Sequence, residues 1–134
     1  LDARARIANL SPQHARGTGV ACTPPQPQSS SLLLVADPIY DPKHAAWLVA
    51  AIMYLLAQPD TDPDARAHIL LPVRTAGRLA VLYATLDVSL QDHGPWQGYR
   101  LMSLRQTRLP RRPGLGRQDE SEYIWTELAW CAAS

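Results

Sequence analysis

The chain of 134 residues is long enough for one domain with a modest core, and 46% of its residues are hydrophobic. Its net charge of +1 creates no strong field that would attract nucleic acid, which argues against a nucleic-acid-binding protein. The longest apolar segment, 45–57, is too short to span a bilayer, which argues against a membrane protein. The two cysteines and four histidines are too dispersed for a disulfide framework or a metal site. We therefore expect a reduced protein of the cytoplasm or the nucleus.

The first predicted elements are a helix at 2–10, which the following Ser-Pro pair ends, and a short strand at 19–23. The chain does not begin with methionine, so we expect a piece of a longer polypeptide. Residues 23–31 are rich in proline, glutamine and serine and predict a loop, because they offer few apolar side chains to bury.

The most informative segment is LLLVADPIYDP at 32–42. Its five consecutive apolar residues predict a strand covered on both faces, as in the centre of a parallel α/β sheet. Ligands of such sheets bind beyond the carboxyl ends of the strands, so we expect Asp37 and Tyr40 at the rim where chemistry takes place. Asp41 and Pro42 then predict the start of a helix, because aspartate caps free amides and proline suits the first turn.

The next three elements follow from hydrophobic spacing. The helix after Pro42 carries a broad apolar face, and Trp47 on that face is predicted to lie in the core rather than in a ligand site. Residues 67–73 predict a second buried strand. Pro72 lies near its end, where the missing backbone N–H of proline costs the sheet no hydrogen bond. The leucines and the tyrosine of 75–91 repeat at the spacing of an amphipathic helix.

Two last strands are predicted at 96–104 and 123–131, the second from its alternating pattern. Residues 105–119 predict an arginine-rich loop, with five arginines and no room for a helix. Because two strands joined without a helix cannot form a parallel crossover, this pair should be antiparallel. The loop could dock an acidic protein surface or RNA phosphates, but proline and glycine interrupt its arginines, so we interpret it as a solvated loop.

The order strand, helix, strand, helix and terminal antiparallel pair resembles the carboxyl half of a class I methyltransferase sheet. The segment 34–41, LVADPIYD, resembles the seven-β-strand protein methyltransferases of the family-16 type, which carry an acid-x-x-Tyr motif after their fourth strand. The fungal branch labelled nicotinamide N-methyltransferase-like or elongation-factor lysine methyltransferase is the most similar. Residues 71–74 and 127–130 resemble the fifth and last strands of that family.

This resemblance implies an α/β fold. It implies that residues 1–134 form a partial, Rossmann-like methyltransferase domain whose first βα units are missing. It implies a protein-lysine N-methyltransferase that uses S-adenosylmethionine and acts on a protein such as a translation elongation factor. Asp37 and Tyr40 would be catalytic, with Tyr40 beside the target amine. Asp37 and the Pro38 carbonyl would orient the amine or the cofactor, and Tyr40 and Arg74 would bind the substrate.

Three alternatives stay open. Asp37, Pro38, Ile39 and Tyr40 approach the Asp-Pro-Pro-Tyr motif of adenine amino-methyltransferases. The glycine-rich loop for the cofactor and the acid for its ribose have no counterpart here, which favours weak cofactor binding or a non-catalytic, methyltransferase-like interaction module. The motif also fits a plain turn, with Asp37 capping amides. Without the first strands of the family, an exposed sheet edge predicts self-association.

Overall fold

The structure is a computed structural model and describes residues 23–77 and 79–134. The predicted helix at 2–10 and all but the last residue of the predicted strand at 19–23 lie outside the described residues. No helix in the described ranges is long and apolar enough to cross a bilayer. The elements in chain order are β1 (Leu32–Ala36), α1 (Pro42–Leu55), β2 (Arg66–Arg74), a 3-10 turn (Leu82–Ala84), α2 (Thr85–Asp92), β3 (Tyr99–Pro110) and β4 (Glu120–Ala132).

The four strands form one mixed, open sheet in the order β1-β2-β4-β3. β1 and β2 are parallel, whereas β4 is antiparallel to both of its neighbours. β3 therefore runs in the same direction as β1 and β2. The predicted α/β class and the predicted antiparallel terminal pair are confirmed.

The core lies on one face of this sheet. Residues of both helices form a single buried cluster with every second residue of β2. These β2 residues lie on the same face of the sheet, because side chains alternate between the two faces along a strand. The cluster includes Val49 and Ile52 of α1, Leu86 of α2, and Ala67 and Ile69 of β2.

The prediction that β1 is covered on both faces is wrong. Leu32 and Leu34 are exposed, with Leu34 74% accessible, while Leu33 and Val35 pack against the core. The physical reason is the one-sided packing, since in the described part of the chain both helices lie on the face that holds Leu33 and Val35. Among the strands of the described residues, β1 also lies at the edge of the sheet rather than in its centre.

The prediction that Trp47 lies in the core is also wrong, because Trp47 is 49% exposed. α1 buries Ala45, Val49 and Ile52 against the sheet. Trp47 follows Ala45 by two residues, which rotates it by about 200° to the opposite side of the helix. There its ring contacts that of His44, with 5.5 Å between the ring centroids.

The second helix is shorter than the sequence predicts. The pattern at 75–91 predicts one helix, but α2 begins at Thr85 and only a 3-10 turn precedes it. Gly77 explains part of the difference, because its φ of +78° lies in the left-handed region and interrupts a right-handed helix. The Thr85 hydroxyl then donates to the Leu82 carbonyl at 2.6 Å and ties the 3-10 turn to the helix.

The predicted arginine-rich loop at 105–119 is wrong in its first part, because β3 continues to Pro110. Arg105 and Arg108 lie on this strand and pair across it with Glu127 and Glu122 of β4. Opposite charges on neighbouring strands stabilise the pairing. The glutamates that pair with these two arginines lie 22 and 14 positions later in the chain. This pairing favours a strand at 105–110, whereas the composition alone indicates a loop.

Candidate functional site

The parallel strands β1 and β2 end side by side, and the predicted site residues meet at this carboxyl rim. Asp37 directly follows β1, and Arg74 is the last residue of β2. The Arg74 Nη2 atom lies 2.9 Å from the Asp37 Oδ2 atom, to which the Tyr40 hydroxyl donates at 2.8 Å. The structure thus brings Asp37, Tyr40 and Arg74 into one hydrogen-bonded group, with Pro38 in the connecting turn.

The turn that carries this group is fixed locally. Asp37 has a φ of +46°, a left-handed conformation that aspartate tolerates better than most side chains. Its backbone N–H donates to the Leu70 carbonyl at 2.8 Å, which extends the ladder with β2 by one residue. Ile39 is buried and anchors the turn in the core. The backbone of Tyr40 donates to Nδ1 of His44 at 3.1 Å, which joins the turn to the first turn of α1.

The start of α1 follows the predicted pattern. The Asp41 side chain accepts a hydrogen bond from the Lys43 N–H at 2.9 Å, and Pro42 occupies the first helical position. This cap fixes the start of α1 directly after Tyr40.

Arg74 is the electrostatic centre of the group. Its side chain is only 2% exposed and faces three carboxylates, those of Asp37, of Glu120 at 3.6 Å and of Asp119 at 4.0 Å. Burial opposes its charge, but the hydrogen bond to Asp37 and the charges of Asp37 and Glu120 raise the pKa of Arg74 above its ordinary value. Arg74 is therefore a permanent buried cation that holds Asp37, and its predicted contact with a substrate stays a prediction.

Sequence reasoning missed Glu120, which is buried. Its Oε2 atom accepts hydrogen bonds from the Tyr123 hydroxyl and from the Arg117 N–H, both at 3.0 Å. Gly116 makes this approach feasible, because a Cβ at that position would collide with the Tyr123 hydroxyl. The available signal is the cluster of acidic residues directly after the glycines of the β3–β4 loop.

Tyr40 presents an aromatic face at the rim. Its residue is half exposed, and the Arg74 guanidinium carbon lies 5.6 Å from the centroid of its ring. The hydrogen bond to Asp37 raises the pKa of Tyr40 above its ordinary value of 10.0. The phenol is therefore neutral at physiological pH, and its oxygen keeps its lone pairs as acceptors because its proton is given to Asp37.

Two buried polar atoms at the rim, the Asp37 Oδ1 atom and the Arg74 Nε atom, have no hydrogen-bond partner within the described ranges. Both are inaccessible to solvent, so neither is open to a ligand in this conformation. Gly77 follows β2, and no other described residue beyond its chain neighbours comes within 4 Å of the position that its Cβ would take. No group of three metal-ligating side chains occurs among the described residues.

Comparison with known proteins adds no relative. The chain matches no protein-family model, no curated protein and no solved structure. The methyltransferase resemblance therefore stays a hypothesis.

Three tyrosine hydroxyls make the free energy of unfolding depend on pH in the alkaline range. A hydrogen bond to a carboxylate raises the pKa of each of three phenols: Tyr40 with Asp37, Tyr99 with Asp60, and Tyr123 with Glu120. The folded state thus holds these protons more tightly than the unfolded state. The stability they contribute is complete below the ordinary tyrosine pKa of about 10 and is lost as the pH rises through the folded-state values.

We therefore expect urea unfolding, measured from neutral pH to about pH 12, to show a falling free energy of unfolding above about pH 10. Replacing Tyr40, Tyr99 and Tyr123 together with phenylalanine should flatten that decline. A triple variant with the same decline as the unmodified chain would show that these hydrogen bonds contribute nothing to the alkaline transition.

Proposed function

We propose that this chain forms the substrate-side rim of an S-adenosylmethionine-dependent protein-lysine N-methyltransferase. The order of the elements and the antiparallel last strand agree with the resemblance to the carboxyl half of such a sheet. The observation that carries the proposal is the hydrogen bond from Tyr40 to Asp37 at the carboxyl end of β1, where open α/β sheets bind their ligands.

The residues at the rim suit the alignment of an amine. S-adenosylmethionine supplies the methyl group when it is bound, and the protein has to hold a neutral lysine amine in line with that group. The Tyr40 oxygen accepts a hydrogen bond from the amine, because the phenol proton is already directed to Asp37. The half-exposed ring of Tyr40 packs against the aliphatic part of the lysine side chain.

Ion pairs balance most of the charge at the rim. The carboxylates of Asp37 and Glu120 face the buried Arg74 guanidinium, and that of Asp119 lies closer to Arg117, at 3.1 Å, than to Arg74, at 4.0 Å. The proposal therefore places the orientation of the amine or the cofactor on the Pro38 carbonyl and on Asp37, in the same turn.

One observation favours the non-catalytic alternative. The Arg74 guanidinium neutralises the Asp37 carboxylate inside the chain, so the pair forms without any ligand. For the adenine alternative, the residue in place of the second proline is Ile39, which is buried in the core. We therefore rank an interaction module second and adenine methylation third.

We expect Tyr40→Ala to lower the rate of methyl transfer to a lysine-rich protein by about 10² or more, because misplacing a reacting group costs that much. Single-turnover transfer of radiolabelled methyl groups, at millimolar S-adenosylmethionine, measures this rate. Tyr99→Ala is the matched control, since Tyr99 also donates to a carboxylate, that of Asp60, but at the start of β3, at the opposite end of the sheet.

An unchanged rate in folded Tyr40→Ala protein would show that Tyr40 is only a packing residue. Transfer to adenine in DNA, rather than to lysine, would support the third candidate. A folded chain that transfers methyl groups to neither substrate would support the interaction module.

A further inference from the structure

The β3–β4 loop, residues 111–119, lies at the same rim of the sheet as Tyr40. β3 runs in the same direction as β1 and β2, so its last residue, Pro110, lies at the carboxyl end of the sheet. The Asp119 carbonyl accepts hydrogen bonds from the backbone N–H of Thr75 at 2.8 Å and from the Thr75 hydroxyl at 3.2 Å. These bonds join the end of the loop to the residue that follows β2.

Hydrogen bonds within the β3–β4 loop give it a defined turn. The Arg111 Nε atom donates to the Leu115 carbonyl at 2.8 Å, and the Arg111 Nη1 atom donates to the Glu120 carbonyl at 3.4 Å. The backbone N–H of Leu115 donates to the Arg112 carbonyl at 3.2 Å. Gly116 has a φ of +75°, a left-handed conformation that glycine adopts without a steric penalty. The loop therefore presents its exposed side chains from a fixed backbone.

The β3–β4 loop carries positive charge that the described residues do not neutralise. Arg117 pairs with Asp119 at 3.1 Å. Arg111 donates to backbone carbonyls, and the exposed Arg112 forms no ion pair in the part of the chain that the structure describes. Residues 1–22 offer little compensation, because their sequence contains one aspartate and three arginines. The loop therefore keeps two guanidinium charges that attract an anionic partner.

The composition of the β3–β4 loop favours a protein over RNA as this partner. Residues 111–119 contain no aromatic side chain on which a base could stack, and proteins that bind single strands depend on such stacking. Leu115 lies between the arginines and is 59% exposed. An exposed apolar side chain loses its contact with water when a protein surface covers it, whereas a phosphate backbone offers it no apolar contact. Arginine also binds carboxylates well, because its planar guanidinium can donate two parallel hydrogen bonds.

We propose that the β3–β4 loop docks an acidic segment of a protein, and that this segment flanks the lysine that Tyr40 aligns. The second part rests on the proposed function, whereas the docking itself follows from the charge of the loop. Arg74 connects the two places, because it lies 4.0 Å from the Asp119 carboxylate and its guanidinium carbon lies 5.6 Å from the centroid of the Tyr40 ring. About five residues of extended chain span roughly 17 Å, so acidic residues within about five positions of the lysine reach the loop.

Fluorescence anisotropy of a rhodamine-labelled peptide, with one lysine between two runs of glutamate, tests the docking. At about 50 mM salt, we expect Arg112→Glu to raise the dissociation constant at least about fivefold, because it replaces an attraction with a repulsion that salt screens only partly. Arg112 is exposed, so this substitution leaves the fold intact, which circular dichroism checks. Arg100→Glu is the matched control, because it changes the net charge equally but lies at the start of β3, at the opposite end of the sheet.

Two further probes separate the alternatives. We expect a peptide with glutamine in place of every glutamate to bind at least about tenfold more weakly, and an oligouridylate of equal charge to bind more weakly than the acidic peptide. Equal binding of the two peptides, equal effects of the two substitutions, or tighter binding of the oligouridylate would overturn the proposal. The assay needs neither S-adenosylmethionine nor methyl transfer. A chain that binds the acidic peptide but does not methylate it would therefore support the docking surface and contradict only the proposed function.

Discussion

Replacing Arg74 with methionine should lower the free energy of unfolding by about 3–5 kcal/mol, because removing one partner of a buried ion pair leaves the other charge uncompensated. The Arg74 side chain is 2% exposed, and that of Glu120 is almost equally buried. Methionine fills much of the same volume, so the loss reports the missing charge rather than a cavity. Asp37 is more exposed and recovers part of its hydration, which keeps the expected loss within this range.

Arg105→Met is the matched control for this measurement. Arg105 forms an equally short ion pair with Glu127 on the same sheet, but its side chain is 64% exposed. Exposed ion pairs contribute about 0–1 kcal/mol, so its loss should be several-fold smaller. Equal losses for the two variants in urea unfolding would show that Arg74 does not balance buried charge.

Replacing Trp130 with alanine should cost about 3–5 kcal/mol of stability, as for other buried large aromatic residues. Trp130 is 6% exposed, and its indole N–H donates to the Leu56 carbonyl at 3.2 Å. The substitution therefore removes apolar contacts from the core and also leaves this carbonyl without its donor.

Trp47→Ala makes the same chemical change on the exposed side of α1, and we expect a loss below about 1.5 kcal/mol. Thermal and urea unfolding of both variants measure the difference. If Trp47→Ala cost as much as Trp130→Ala, the interpretation of Trp47 as a core residue would be restored and the one-sided packing of the sheet would be wrong.

Features set by neighbouring residues were predictable from the sequence. Asp41 and Pro42 begin α1 as the capping pattern predicts, because a cap depends on only three or four residues. The strand β2 follows from a short apolar run. The place of Asp37 and Tyr40 beyond β1 follows from the same local pattern together with the parallel pairing of β1 and β2.

Features set by distant residues were not predictable. Glu120 joins the site because the register of β2 with β4 sets Arg74 opposite it, 46 positions along the chain. The exposure of Leu34 depends on which face of the sheet the helices cover, and five apolar residues in a row do not reveal this. The spacing of leucines in 75–91 likewise fits a helix, although Gly77 adopts a left-handed conformation.

Titration of the isotopically labelled chain with S-adenosylmethionine, followed by amide NMR shifts, tests whether the rim belongs to a methyltransferase. If the rim is the substrate side of a methyltransferase with only part of the cofactor site, binding should be weak, with a dissociation constant of about 1 mM or more. The shifts should be confined to amides around Asp37, Tyr40 and Thr75. Micromolar affinity, no shift at these amides, or shifts centred on the groove at Met53 and Gln97 instead would contradict the account.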